Sequence, residues 1–273
     1  MNMQKAWLVF KKDWLEIKRN WQVLLPIILL PLIFSVVFPI IISSVSNAPT
    51  QDVSSGDFQL LTANLPADVQ ALLAEMTPNQ VMVYIMVLYF FAPFFLIIPV
   101  MASSVMASDS FAGERERKTI EALLATPISN SELLMGKILV SFIPAMIVTI
   151  ASFAVYSTIV DIITFEIFNG ILLLPNANWL IMIFGVAPVI AICSIGLTVI
   201  ISAKVKGFKE AQQISVILLL PVLGLVFGQM SGLIILGPLV LAALIGILAV
   251  VDVAIIYAGV RMFQREEILA KNN

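Results

Sequence analysis

Long hydrocarbon runs alternate with short polar breaks along this chain, and the alternation predicts helices that cross a membrane. A bilayer core needs about 20 consecutive apolar residues. Runs of that order place spans at about 22–44, 81–108, 138–163, 180–203, 212–228 and 239–260. The last two share one apolar tract, whose break lies between Gln229 and Pro238 and has room for a short re-entrant turn. Pro26, Pro31 and Pro39 in the first span predict a kinked helix, and Pro93, Pro99, Pro144 and Pro188 interrupt the next three. Each proline frees a carbonyl that a neighbour or a water must satisfy. Residues 45–80 form an outer loop with acidic residues and no lysine or arginine. Val69, Leu72, Leu73 and Met76 predict a short amphipathic helix within it. Trp179, after the turn signal Pro175-Asn176-Ala177-Asn178, marks a membrane interface.

Two polar segments punctuate the pattern. In 1–20, Trp7, Phe10, Trp14, Ile17 and then Trp21 recur at three- and four-residue steps, while Lys5, Lys11, Lys12, Lys18 and Arg19 take the other faces. Indoles prefer the headgroup level and basic residues face anionic lipid, so this is a helix lying in the interface plane. It reads equally well as a flanking anchor and as a surface that also meets a partner. In 109–137, Ile120, Leu123 and Leu124 share one helical face, and Glu114, Arg115, Glu116, Arg117, Lys118 and Glu121 crowd the turns ahead. Thr126-Pro127 stops that helix, and Ser129 with Glu132 is a capping box that starts the next. The predicted device is a helix, a break and a second helix at a membrane surface.

Composition excludes a soluble domain: of 273 residues, 60% are hydrophobic and 12% charged, with mean hydropathy +1.06. The expected fold class is all-α, a single polytopic domain over 1–273 with six transmembrane helices. Basic residues orient it. With the N-terminus inside and six crossings, all 15 Lys and Arg fall on the cytoplasmic side, and both termini lie there. The charged first twenty residues, with no small-residue cleavage site after them, read as retained sequence. One cysteine, Cys193, permits no intrachain disulfide, and the absence of histidine removes Ser–His hydrolases and most zinc proteases. No Gly-x-x-x-x-Gly-Lys-[Ser/Thr] loop occurs, so nucleotide phosphates are not cradled in that way here.

The run Gly113-Glu114-Arg115-Glu116, Thr119-Ile120-Glu121, Leu124 and Thr126-Pro127, then Glu132-Leu133-Leu134 and Gly136-Lys137, resembles the segment after span two of ABC-2 type transporter permeases. The motif covers about thirty residues, and the six-span topology extends the likeness over the whole chain. The resemblance implies the fold of a transport permease whose residues 109–137 form the cytoplasmic coupling region. Gly113, Glu114, Arg115, Glu116, Arg117, Thr119, Glu121, Leu124 and Pro127 would meet an ATPase there. The interfacial helix, with Trp7, Phe10, Trp14, Lys11 and Lys12, would lie beside them. It further implies an exporter assembled from two permeases, identical or related, with two cytoplasmic ATPase subunits that bind ATP and Mg. This chain itself needs no cofactor, metal or catalytic residue, and its surroundings are membrane lipid, with no nucleic acid. The short region between spans five and six departs from the outer re-entrant helices common in the family.

Two further features stand out. Asp252 is nine residues before Arg261, hence about 13 Å deep. It is either a functional intramembrane acid or a protonated carboxyl bonded to a neighbouring helix. Gly224, Gly228 and Gly232 repeat at four-residue steps and allow close helix approach, across a dimer face or within one subunit. The rival readings are an ATPase-independent channel or secondary carrier, a non-transporting membrane anchor for an ATPase, and an intramembrane enzyme. An enzyme needs convergent acids, bases or nucleophiles, and the spans offer only Asp252 and scattered serines.

Overall fold

A computed structural model describes residues 2–46, 65, 67–119, 126, 128–205, 207–231 and 233–262. Within them the protein is helical, without strands. A surface helix α1 (Met3–Ile17) precedes α2 (Trp21–Ser46), and the short α3 (Ala67–Ala74) lies in the loop that follows. Then come α4 (Pro78–Glu116), α5 (Asn130–Thr164), α6 (Ala177–Ser202), α7 (Phe208–Met230) and α8 (Pro238–Met262). All of these but α1 and α3 are long and apolar enough to cross a membrane, six in number. The protein is an all-α, multi-pass membrane protein.

Helix α4 is the hub. In its most apolar stretch 67% of residues are buried, against 17% in α7 and in α8. It packs on α5 and α6, with α2 against α5 on one flank and α8 against α6 on the other. The outward faces of α2, α7 and α8 carry Leu29, Leu32, Ile217, Leu220, Ile247 and Val250 in the open, as a hydrocarbon solvent requires.

Prolines set the irregular turns. Before Pro93 the helix widens, so that Phe91 N donates to Met86 O at 3.0 Å, and a similar widened turn, Met182–Val186, precedes Pro188. Pro93 has no N–H for the Tyr89 carbonyl four residues back. Gln229 supplies it from α7: its Nε2 lies 2.6 Å from Tyr89 O. A neighbour thus satisfies the freed group, as lipid surroundings demand.

Two elements differ from the sequence pattern. The second span does not stop at Ser108 but runs unbroken to Glu116. Ala107, Phe111 and Ala112 continue its buried apolar face, and Ser110 between them finds partners on α1 and α5, Asp13 and Lys137. The stop is local: Lys118 takes a left-handed conformation (φ 57°), and Thr119 N closes on Glu114 O at 3.0 Å. Trp179 does not lie on the outer surface of the bundle. It is 1% exposed, stacked on Phe153 and Tyr156 and edge-on to Phe95. The indole fills the space between α4, α5 and α6, where a ring pays for its size in buried area.

Candidate coupling site at the basic end of the helices

The described cations gather at one end of the bundle, on α1, the end of α4, the start of α5 and the α6–α7 connection. Glu75, Asp161 and Glu166 mark the other end. The site is built on α1, whose buried stripe is Ala6, Val9, Phe10, Asp13 and Ile17. That stripe lies on α5, and the two backbones meet at Gly136: a Cβ there would come within 2.6 Å of Val9 Cβ and 2.7 Å of Ala6 O. Only hydrogen leaves room for the crossing. The capping box that starts α5 also holds the start of α1. Glu132 accepts Ser129 N with one carboxylate oxygen (3.0 Å) and Asn2 N with the other (2.6 Å).

At the centre is Lys137, 0% exposed. Its ammonium donates to Glu114 Oε2, to the Ser110 carbonyl, to Ser110 Oγ (3.2 Å) and to Asp13 Oδ2 (3.4 Å), and lies 5.2 Å from the Phe111 ring centre. Ser110 Oγ donates to Asp13 Oδ2 at 2.7 Å. Lys12 closes the cluster from the surface, paired with Glu114, with Asp13 (3.2 Å) and with Glu16 (3.2 Å). Burial works against the Lys12 charge. The bond to Glu114 and the charges of Asp13, Glu114 and Glu16 outweigh it and raise its pKa. Two lysines thus balance the carboxylates of Asp13 and Glu114, a condition for keeping such charges out of water.

The four charges Glu114 to Arg117 each have a separate intramolecular task. Glu114 is 1% exposed and points inward to Lys137. Arg115 Nη1 donates to Ser202 O (2.8 Å), the last turn of α6, where the helix dipole favours a cation. Glu116 Oε2 accepts Phe208 N (2.8 Å), the first turn of α7, where it favours an anion. Arg117 Nη1 donates to Asp109 Oδ1 (2.9 Å) and approaches Glu16 (3.7 Å). Its pKa is also raised, burial being outweighed by Asp109, Glu16 and Glu114. Gly113 is buried beneath that bond, and a Cβ on it would lie 2.8 Å from Asp109 Oδ1. One turn of α4 therefore ties together α1, α5, α6 and α7.

Other sequence-selected residues fall elsewhere. Thr119 is exposed, its hydroxyl on Glu114 O (3.2 Å). Glu121, Leu124 and Pro127 lie outside the described residues. On α1, Trp7 is 49% exposed and stacks on the buried Phe10, Lys11 is exposed, and Lys18 sits over the half-buried Trp14. The indole line is thus a flank of the buried stripe. Asp252 is 6% exposed with Oδ1 unpartnered, and it faces the Cys193 thiol on α6. Gly224 is open, with nothing within 4 Å of a Cβ; Gly228 packs on Ile234 of its own chain; Gly232 lies outside the described residues.

Sequence reasoning passed over Asp13, Asp109, Ser110 and the inward role of Lys137. The signal was available. Asp13 interrupts an otherwise apolar stripe on α1, and Lys137 does the same between Leu133 and Val140 on α5. Opposite charges on two apolar faces are a reason to look for a buried pair.

Six apolar helices, a surface helix and a charged knot joining their polar ends define a multi-pass membrane protein. The family described as ABC-2 family transporter protein matches residues 7–243, and the chain belongs to it. The chain is thus a permease of an ABC transporter, a transport component and not a catalyst in its own right, of a family whose permeases generally pair with an ABC ATPase. Among curated proteins no match was found.

Proposed function

We propose that this chain is the membrane subunit of an exporter, driven by two copies of a separate cytoplasmic ATPase that binds ATP and Mg and paired with a second permease. The observation that carries the reading is the turn Glu114–Arg117, which joins four other helices at one end of the bundle. A push delivered beside it reaches α1, α5, α6 and α7 together, as a rigid-body shift requires. The contact surface for the ATPase then includes Lys118 and Thr119, which follow the knot, and the exposed flank of α1. Glu114, Arg115 and Glu116 transmit the movement instead of meeting the partner. The gathering of described cations at that end supports a cytoplasmic placement for it and for both termini.

The test is purification from native membranes in mild detergent, with mass spectrometry for an associated ATP-binding subunit. Wild type should bring one down. Lys118→Glu combined with Thr119→Glu, both on exposed residues, should release it without unfolding the permease. Failure to find an ATPase even after gentle crosslinking would return the chain to the channel or carrier reading.

A further inference from the structure

Where α1 turns into α2, a cavity of about 460 Å³ opens beside the knot, lined by Glu16, Arg19, Asn20, Asp109, Arg117 and Thr119. That volume lies in the range of small-molecule sites. Its charges come in two pairs, Arg19 and Arg117 against Glu16 and Asp109. They are not all spent on one another. Arg117 holds Asp109 and reaches Glu16, which also pairs with Lys12 outside the cavity lining (3.2 Å), Asn20 Nδ2 steadies Asp109 at 3.2 Å, and the Arg19 side chain has no ionic or hydrogen-bond partner among the described residues. Trp21, next in the chain, is 67% exposed, and an exposed indole at the start of a span sits among headgroups.

We propose that this cavity holds the headgroup of a zwitterionic phospholipid, with the phosphate on Arg19 and the ammonium on Glu16. A site whose fixed charges sum to zero and which offers both signs within one cavity matches a headgroup that does the same. A purely anionic headgroup would meet two carboxylates. A bound lipid would fill the angle between surface helix and first span and fix the height of α1 in the bilayer. The proposal rests on the membrane-surface placement of α1 and on no property of the ATPase.

The experiment uses the full chain, purified without an ATPase. Native mass spectrometry follows retention of phosphatidylethanolamine and phosphatidylglycerol with matched acyl chains, with soluble glycerophosphoethanolamine as competitor. Wild type should retain phosphatidylethanolamine about fivefold better, the effect expected of one exposed ion pair. Arg19→Ala should weaken retention of both lipids, since both carry the phosphate, and Arg19→Lys should restore it. Glu16→Gln should shift it toward phosphatidylglycerol. Equal retention of the two lipids by wild type would overturn the proposal, and that comparison needs no variant to fold. Competition by the soluble headgroup as strong as by the lipid would assign the cavity to a free phosphate ester instead. Brominated lipid should quench Trp21 in a variant whose other tryptophans are phenylalanine; absence of quenching would remove the placement on which the site depends. Failure of wild type to bring down an ATPase, with the lipid preference intact, would overturn the coupling reading alone.

Discussion

Replacing Lys137 by Met tests the knot most directly. Met keeps most of the length and volume and deletes the charge. The two carboxylates it serves, Asp13 and Glu114, have side chains 3% and 1% exposed. After the change they face one remaining cation, Lys12, which is 36% exposed and shared with Glu16. Asp13 Oδ1 already accepts no hydrogen bond, so the loss of Lys137 leaves that carboxylate with Ser110 Oγ and the Lys12 charge. Breaking a buried pair by removing one partner costs about 3–5 kcal/mol. The assay is unfolding of purified protein in mixed micelles by increasing denaturing detergent, followed by tryptophan fluorescence. A second variant guards against a generic packing effect. Glu114→Gln in the Lys137→Met background should cost less than Glu114→Gln alone, with coupling of about 2 kcal/mol. Limited proteolysis should show α1 released in the single Lys137 variant and held more firmly in the double one. A Lys137→Met loss below about 1 kcal/mol, or strictly additive changes, would refute the buried-knot argument.

Four further outcomes follow from the same geometry. Gly136→Ala should detach α1 from α5, because the new methyl meets Val9 and the Ala6 carbonyl; accelerated protease cleavage within 3–17, with the spans intact, is the measurement. Glu116→Ala removes the acceptor on Phe208 N, and loss of such a cap costs about 1 kcal/mol, read as faster amide exchange in the first turn of α7 with α4 unchanged. Gln229→Leu removes the Gln229 donor to Tyr89 O inside an apolar setting, a cost of about 1–3 kcal/mol that unfolding in mixed micelles would detect and Gln229→Glu at acid pH would partly restore. The raised pKa of Lys12 fixes a sign. Its contribution to docking α1 is fully present below the ordinary lysine value of 10.5 and is lost as pH climbs through the raised one. Docking followed by a fluorophore on α1 should therefore show a loss on the alkaline side of that value, and Lys12→Met should remove this alkaline step.

The sequence by itself determined the class, the number of spans and the family. Hydrophobic runs long enough for a bilayer depend on composition alone, and a capping box such as Ser129–Glu132 is a bond between residues three apart, so both are legible locally. The Gly-Glu-Arg-Glu motif likewise marks the turn at which α4 meets four other helices. What only the tertiary structure decided is the direction each charge takes. Glu114 and Arg115 are adjacent in the chain, yet one turns to Lys137 on α5 and the other to the end of α6. A helix rotates about 100° per residue, so neighbours in a polar run face different helices, and no local pattern names the partner. The same holds for Trp179, whose place in a buried aromatic stack depends on Phe95 and Phe153 from other helices. It holds also for the Tyr89 carbonyl. Pro93 announces that it cannot donate to that carbonyl, but only the packing of α7 on α4 shows that Gln229 reaches it. Local chemistry states what must be satisfied, and the fold decides by whom.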